Sequence, residues 1–455
     1  AAPSSGSERL RRWGAWLLAD VDGASLALFR VAFYLIIAWE VARYFQYDRV
    51  HRYYIEPQVL FPYLDVIRPW PGQGMVIHFI ALGALALLSA AGLFYRVAAP
   101  LCAAALAYFF LLDKAQYLNH LYLCSLLALL LALAPAHRAF SLDRLLCLRR
   151  SRRGGPPPPP ETVPRGALWL LRLQIALVYF YGGVAKLNAD WLAGRPLDQW
   201  LPERSHVPLL GPLLLLPEAP LFVAWAGLFI DLSAPFLLLS RRALPWGMAL
   251  CALFHITNAA LFKIGIFPYA MLATLALFPD PSWPRRLLRL PPPSPSPSPS
   301  PTEFAPRPST RATRALLATL HAYLLLQLLL PLRHWLYPGD VAWNEAGHRF
   351  SWRMKLRDKQ IEELEMHVLD PRTGIREQID LEQWLTPRQI DEMGTRPDML
   401  VDFAHIVAAR WEAAAGVRPR VTAWVVVSLN GHPPRPLLDP TLDLAAQPRG
   451  LWSPW

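Results

Sequence analysis

Nine stretches of this chain stay apolar for close to the length a bilayer demands. They lie at roughly 25–44, 74–94, 97–112, 117–135, 167–187, 219–240, 245–262, 265–279 and 314–332. A helix needs about 20 such residues to cross a hydrocarbon core about 30 Å thick. Inside that core only helices and closed barrels satisfy the backbone. The pattern predicts an α-helical polytopic membrane bundle of about nine spans. The seventh and eighth spans are joined so tightly, through Phe262–Gly265, that broken or re-entrant helices are the alternative there.

Loop charge gives an orientation, because Lys and Arg concentrate on the cytoplasmic side. Arg138, Arg144, Arg149, Arg150, Arg152, Arg153 and Arg165 fall in the 136–166 loop. Arg285, Arg286, Arg289, Arg307 and Arg311 fall in the 279–313 loop, Arg241 and Arg242 between spans six and seven, and Arg9, Arg11 and Arg12 before span one. With the N-terminus inside, a nine-span topology puts all of these on one side. The loops 45–73 and 188–218, and everything after span nine, are then extracytoplasmic. The net charge of +11 therefore reads as basic loops on a chain that is 54% hydrophobic. No nucleic-acid partner is expected, since the arginines form no single face. Cys102, Cys124, Cys147 and Cys251 show no CxxC or zinc spacing and imply no disulfide framework. The polar, basic first residues suggest no cleavable signal peptide.

Two linkers, Pro156–Pro160 and the Pro/Ser tract Pro291–Pro301, read as extended and solvated. From about Val341 the composition changes, giving a division into residues 1–340 and a small α+β soluble domain, 341–455. There, Phe350–Leu356 alternates like a strand, and 365–380 reads as a hairpin turning at Asp370–Gly374. Pro397–Ala415 reads as a helix, and Val421–Ser428 as a strand before an Asn430-Gly431 turn.

Polar residues within the apolar part are costly and so informative. Lys186 ends span five beside Gly182-Gly183 and several aromatics. Asn119, His120, His255 and Asn258 fall in the same outer half of the bundle, from different helices, which is how bundle cores build ligand sites. Lys263 and Tyr269 flank the next turn. The bland readings are a lysine that snorkels to water, histidines that are merely hydrogen-bonded, and an interfacial belt of Tyr179, Tyr181 and Trp191. His78 and His321 read as structural. A bis-histidine haem site is a poor fit, because the histidines sit at mismatched depths. Asp231 is a second buried charge, free to pair with Lys186 or Arg172. An amine in an apolar pocket loses solvation of its charged form, and its pKa falls from ~10.4 towards neutrality. It can then act as a general base, and a lipid-soluble phenol or quinol is the acid such a pocket suits.

The residues also resemble a known family. Asp22–Arg30 (DGASLALFR), Phe110–Lys114 (FLLDK), Asn119–Tyr122 (NHLY), Val184–Trp191 (VAKLNADW), Leu228–Ala234 (LFIDLSA), Phe254-His255, Leu261–Tyr269 (LFKIGIFPY), Ser351-Trp352, Asp398–Leu400, Val427–Asn430 and Asp439-Pro440 resemble, in order, the vitamin K-dependent gamma-glutamyl carboxylase family, in a bacterial-type form carrying the horizontally transferred transmembrane domain. The resemblance implies an integral membrane protein, in the inner membrane of a bacterium, with its active site and C-terminal domain on the extracytoplasmic side. It implies that Lys186 deprotonates vitamin K hydroquinone, or menaquinol, and that O2 then converts the quinol to a strong base. That base removes a γ-proton from a peptide or protein glutamate, and CO2 adds to the carbanion, giving gamma-carboxyglutamate and the vitamin K epoxide, without metal. His120 is associated with carboxylation. His255, with Asn119, Asn258 and Tyr269, is expected to bind the quinol, and Trp352, His348 and Arg357 to lie near the glutamate. The chain departs from the animal enzymes in having no cysteine after Cys251 and in reading Gly347–Phe350 (GHRF) and Arg357 where they carry tyrosines and a histidine. Two alternatives stand beside this reading: a quinol epoxidase without peptide carboxylation, or a non-catalytic transmembrane relative.

Overall fold

A computed structural model describes residues 6–293 and 311–449. Six of its helices are long and apolar enough to cross a membrane. They are α1 (Ala24–Gln46), α2 (Gly74–Ala91), α6 (Arg165–Ala185), α7 (Ala219–Leu239), α8 (Leu244–Leu261) and α10 (Arg311–Leu329, prolonged by a 3-10 turn to Leu336). Three shorter apolar helices complete the bundle: α3 (Tyr95–Leu111), α4 (Asn119–Leu133) and α9 (Phe267–Thr274, with a 3-10 turn to Leu277). Each corresponds to one of the nine apolar stretches. At ~1.5 Å per residue, α9 and its turn reach roughly half the ~30 Å core. It is the incomplete helix that the tight Phe262–Gly265 junction allowed. A polar helix, α5 (Leu142–Arg152), comes after α4.

Packing between these helices leaves little to chance. Arg30, from the second turn of α1, is fully buried. Its guanidinium donates to the carbonyls of Ala136 (2.8 Å), Phe140 (2.6 Å) and Ala90 (3.2 Å), joining the end of α2 to the turn after α4. A buried arginine needs such acceptors to offset its desolvation. Arg285 ties the same end together through Asp22 (2.9 Å) and Glu161 (2.6 Å). His78 and His321 bond main-chain carbonyls, of Ala105 and Leu317, as structural histidines do. Pro156–Pro160 has no helix or strand, and from residue 294 the Pro291–Pro301 tract lies outside the described residues.

The C-terminal part is a four-stranded antiparallel sheet in the order β2-β1-β3-β4, with β1 at Lys359–Leu369, β2 at Arg376–Gln378, β3 at Arg420–Leu429 and β4 at Arg435–Pro436. Val421, Ala423, Val425, Val427 and Leu429 alternate inward along β3, as a half-buried strand requires. Helix α11 (Pro387–Gly394) begins with a capping box at Thr386, and α12 (Pro397–Ala415) lays Leu400, Phe403 and Val407 against the sheet. The β1–β2 hairpin turns at Asp370–Gly374, and Asn430 and Gly431 both take left-handed conformations between β3 and β4.

One expected strand is absent. Phe350–Leu356 is irregular, with Phe350, Trp352 and Lys355 at φ of 64°, 57° and 51°. The alternation is real but has another cause. Phe350 and Trp352 plug into the helical part, Trp352 stacking on Tyr122 at 4.8 Å and Phe350 meeting the same ring at 4.9 Å. The soluble part seats on the loops of the bundle: Lys114 pairs with Asp402 (2.6 Å), Gln389 donates to the Val59 carbonyl (2.7 Å), and Phe61 joins the core of the sheet domain.

Candidate active site

Lys186 comes directly after the last residue of α6, and its backbone N–H still bonds Gly183 at 2.9 Å. The side chain turns back into the protein and is 6% exposed. Its Nζ donates to Asp231 Oδ2 at 2.5 Å and to the Gly182 carbonyl at 3.2 Å, and lies 5.2 Å from the centre of the Trp191 ring. The lysine therefore does not snorkel. Asp231, on α7, is 5% exposed. Arg172, the other partner open to it, instead donates to the carbonyls of Leu277 and Pro279.

Glycine makes that pairing possible. A Cβ on Gly183 would lie 2.7 Å from Leu232 Cδ2 and 3.0 Å from the Leu232 backbone nitrogen. Helices α6 and α7 touch backbone to side chain at that level, as small residues permit. Asp231, one residue before Leu232, is thereby brought within reach of Lys186.

The pair opens on a cavity of about 260 Å³. Its walls include Asn119 and His120 from α4, Tyr179 from α6, His255 and Asn258 from α8, and Phe267 from α9. Five residues singled out from sequence thus share one space: Lys186, His120, His255, Asn119 and Asn258. His255 is 1% exposed, with Nε2 2.7 Å from the Tyr179 hydroxyl, while its Nδ1 is buried with no partner among the described residues. A buried nitrogen left unbonded costs free energy unless something else reaches it. Asn119 accepts from the Tyr117 hydroxyl (2.9 Å) and reaches the Arg353 carbonyl (3.3 Å). Tyr179, Tyr181 and Trp191 are all buried, so they form no interfacial belt.

Other expectations fall elsewhere. Tyr269 is 44% exposed and meets Trp39 edge-on at 5.0 Å, away from the cavity. Trp352 is wholly buried in its stack on Tyr122, and neither it nor His348 nor Arg357 lines the cavity. His348 and Arg357 both approach the buried Glu345, and Arg349 pairs with Asp398 nearby. Burial pushes the Asp398 carboxyl up, but Arg349 and Lys114 outweigh it and hold it below the usual carboxylate range.

Among the cavity residues that the sequence did not point to are Met354 and Lys355, from the segment that alternated like a strand. The Lys355 ammonium lies 5.0 Å from the Trp200 ring centre and 5.9 Å from that of Phe262. Burial against these rings, with Arg204 nearby, holds it below the ordinary lysine value.

Residues 19–283 match the HTTM domain, and residues 312–455 match the lumenal domain of vitamin K-dependent gamma-carboxylase. No solved structure matches the chain. The first match covers more than half of the chain, and the second covers its C-terminal part from residue 312 onward. A helical membrane part and a sheet-bearing C-terminal part, each matched to its own domain, place this chain in the vitamin K-dependent gamma-glutamyl carboxylase family.

Proposed function

We propose that the chain is an integral membrane enzyme that oxygenates a vitamin K-type hydroquinone to its epoxide with O2. Through that reaction it deprotonates a peptide glutamate to which CO2 adds. The observation that carries the reading is the buried Lys186–Asp231 pair on the wall of a cavity that also receives His120 and His255. The residues fit such a ligand. Trp191, Phe254 and Phe267 offer faces and edges to a flat ring. His255 Nδ1 is a buried polar atom that still needs a partner, and one hydroxyl would supply it. At about 260 Å³ the cavity sits just below the ~300–1,000 Å³ of ordinary ligand pockets, suiting the ring system of a quinol better than its tail.

When bound, the hydroquinone supplies, with O2, the driving force that makes a strong base from a weak one. The protein's part is proton handling and placement. Lys186 and Asp231 act as one base, because Nζ and Oδ2 are hydrogen-bonded at 2.5 Å. A hydroxyl proton is taken up at Nζ as the proton that Nζ already donates passes to Oδ2. Tyr179 fixes the His255 ring through Nε2, so Nδ1 is presented to the ligand in a set orientation. Asn119 and Asn258 supply amide groups to the same space. His120 is assigned to the carboxylation half, and the Lys355 ammonium, at the cavity rim, is suited to a glutamate carboxylate. The basic loops support an active site and C-terminal domain on the extracytoplasmic side.

One observation favours a second reading, epoxidation without carboxylation. Trp352, His348 and Arg357 are all engaged with protein partners outside the cavity. The test uses purified protein, chemically reduced vitamin K and air, with the epoxide followed by chromatography. Epoxide formation supports the oxygenase, and its absence rejects both readings in favour of a non-catalytic relative. Labelled bicarbonate with a glutamate peptide then separates the two: incorporation supports the carboxylase, and epoxide without incorporation supports the epoxidase.

A further inference from the structure

Helix α5 is unusual in having no buried residue, yet it is held in place. Ser141 caps it by accepting from the Arg144 N–H (3.1 Å). Asp143, in its first turn, accepts from the backbone N–H groups of Phe94 (2.9 Å) and Tyr95 (3.0 Å) at the start of α3. Gly92 lets the two turns touch: a Cβ there would lie 2.5 Å from Ser141 Cβ. An 11-residue helix with no packed face is marginal in water. Leu142, Leu145 and Leu146 are 42–51% exposed, the apolar underside of a helix lying in a membrane interface.

Between this helix, the middle of α1 and the end of α2 runs a groove of about 610 Å³, lined by Leu35, Leu87, Phe140, Leu145 and Leu148. Its one acid, Glu161, is already bound by Arg144 and Arg285. Residues four apart share a helix face. The groove face that carries Leu145 and Leu148 therefore continues into Arg149 and Arg152. Both arginines are exposed, and neither has an acidic partner among the described residues. Arg150 and Arg153, also exposed, lie off that face.

We infer that this groove is a binding site for one anionic glycerophospholipid, an acyl chain against Leu35, Leu87 and Leu148 and the phosphate against Arg149 and Arg152. An apolar slot with exposed cations one helical turn beyond it favours a lipid of net negative charge over a zwitterionic one, whose cationic headgroup opposes the arginines. The site is distinct from the Lys186 cavity and rests on the membrane reading alone, whatever reaction the enzyme performs.

The full-length protein in mild detergent is titrated with phosphatidylglycerol or phosphatidylcholine, and bound lipid is counted by native mass spectrometry. The expected result is one phosphatidylglycerol retained in preference to phosphatidylcholine. The preference falls roughly tenfold in Arg149→Gln/Arg152→Gln and holds in Arg150→Gln/Arg153→Gln. Equal retention of the two lipids, no retained lipid, or the same loss in both double variants overturns the site. These exposed substitutions are far from any core, and an unchanged melting temperature confirms that any loss is local.

Discussion

Lys186 and Asp231 are each costly alone in a membrane bundle and acceptable together. Removing one partner strands a buried charge, which costs about 3 kcal/mol or more. Lys186→Met or Asp231→Leu singly should therefore lower the melting temperature in detergent sharply. The double variant should be more stable than either single one, because two apolar groups replace a desolvated pair. Additive losses would mean that the two groups do not interact. The lysine itself is legible in the sequence, as a charge at the end of an apolar run. Its partner is less so, because 45 residues separate them and only the packing of α6 on α7 brings them together. Tyr269 shows the converse. Phe267 faces the cavity, and two residues on a helix are roughly 200° apart, so the tyrosine points the other way. Proximity in sequence does not reveal which of the two faces inward.

At the level of elements, the site depends on how closely α6 approaches α7. Gly183→Val drives a side chain into the Leu232 backbone, and overpacking of this kind costs about 1–3 kcal/mol. Displacing Asp231 by even ~1 Å should slow epoxide formation roughly a hundredfold with Lys186 untouched. Gly182→Ala, whose added carbon would meet Asp231 Oδ2 at 3.2 Å, should be milder. Wild-type rates in Gly183→Val would show that this spacing is irrelevant. The helices are readable because a bilayer imposes length and apolarity together. So are β3 and α12, whose inward positions follow their own periods, whereas β1 is legible only from residue 365, its first half being broken by a bulge at Ile361–Glu363. Phe350–Leu356 imitates a strand because its buried aromatics serve the helical part, while its backbone turns through left-handed conformations that no pattern of hydrophobicity encodes.

For the molecule as a whole, the soluble part is latched to the loop just beyond Lys186. Asp190 accepts from Asn430 (2.8 Å), and its other oxygen lies 2.8 Å from His432 Nε2. Burial pushes the Asp190 carboxyl up, but the bonds from His432 and Asn430 prevail and hold it below its ordinary value. A depressed carboxylate contributes stability that is full above the unfolded pKa of about 3.9 and is lost as pH falls through the folded one. Hydrogen exchange in residues 188–200 should therefore rise below about pH 4, and Asp190→Asn should show that faster exchange already at neutral pH. Identical exchange in the two proteins at pH 7 would mean the latch holds nothing. The proposed mechanism starts at one acid–base pair, and Lys186→Ala tests it most directly. Epoxide formation from reduced vitamin K should fall at least a hundredfold and recover in part when ammonia is supplied at raised pH. A Lys186→Ala protein that forms epoxide at the wild-type rate would contradict it.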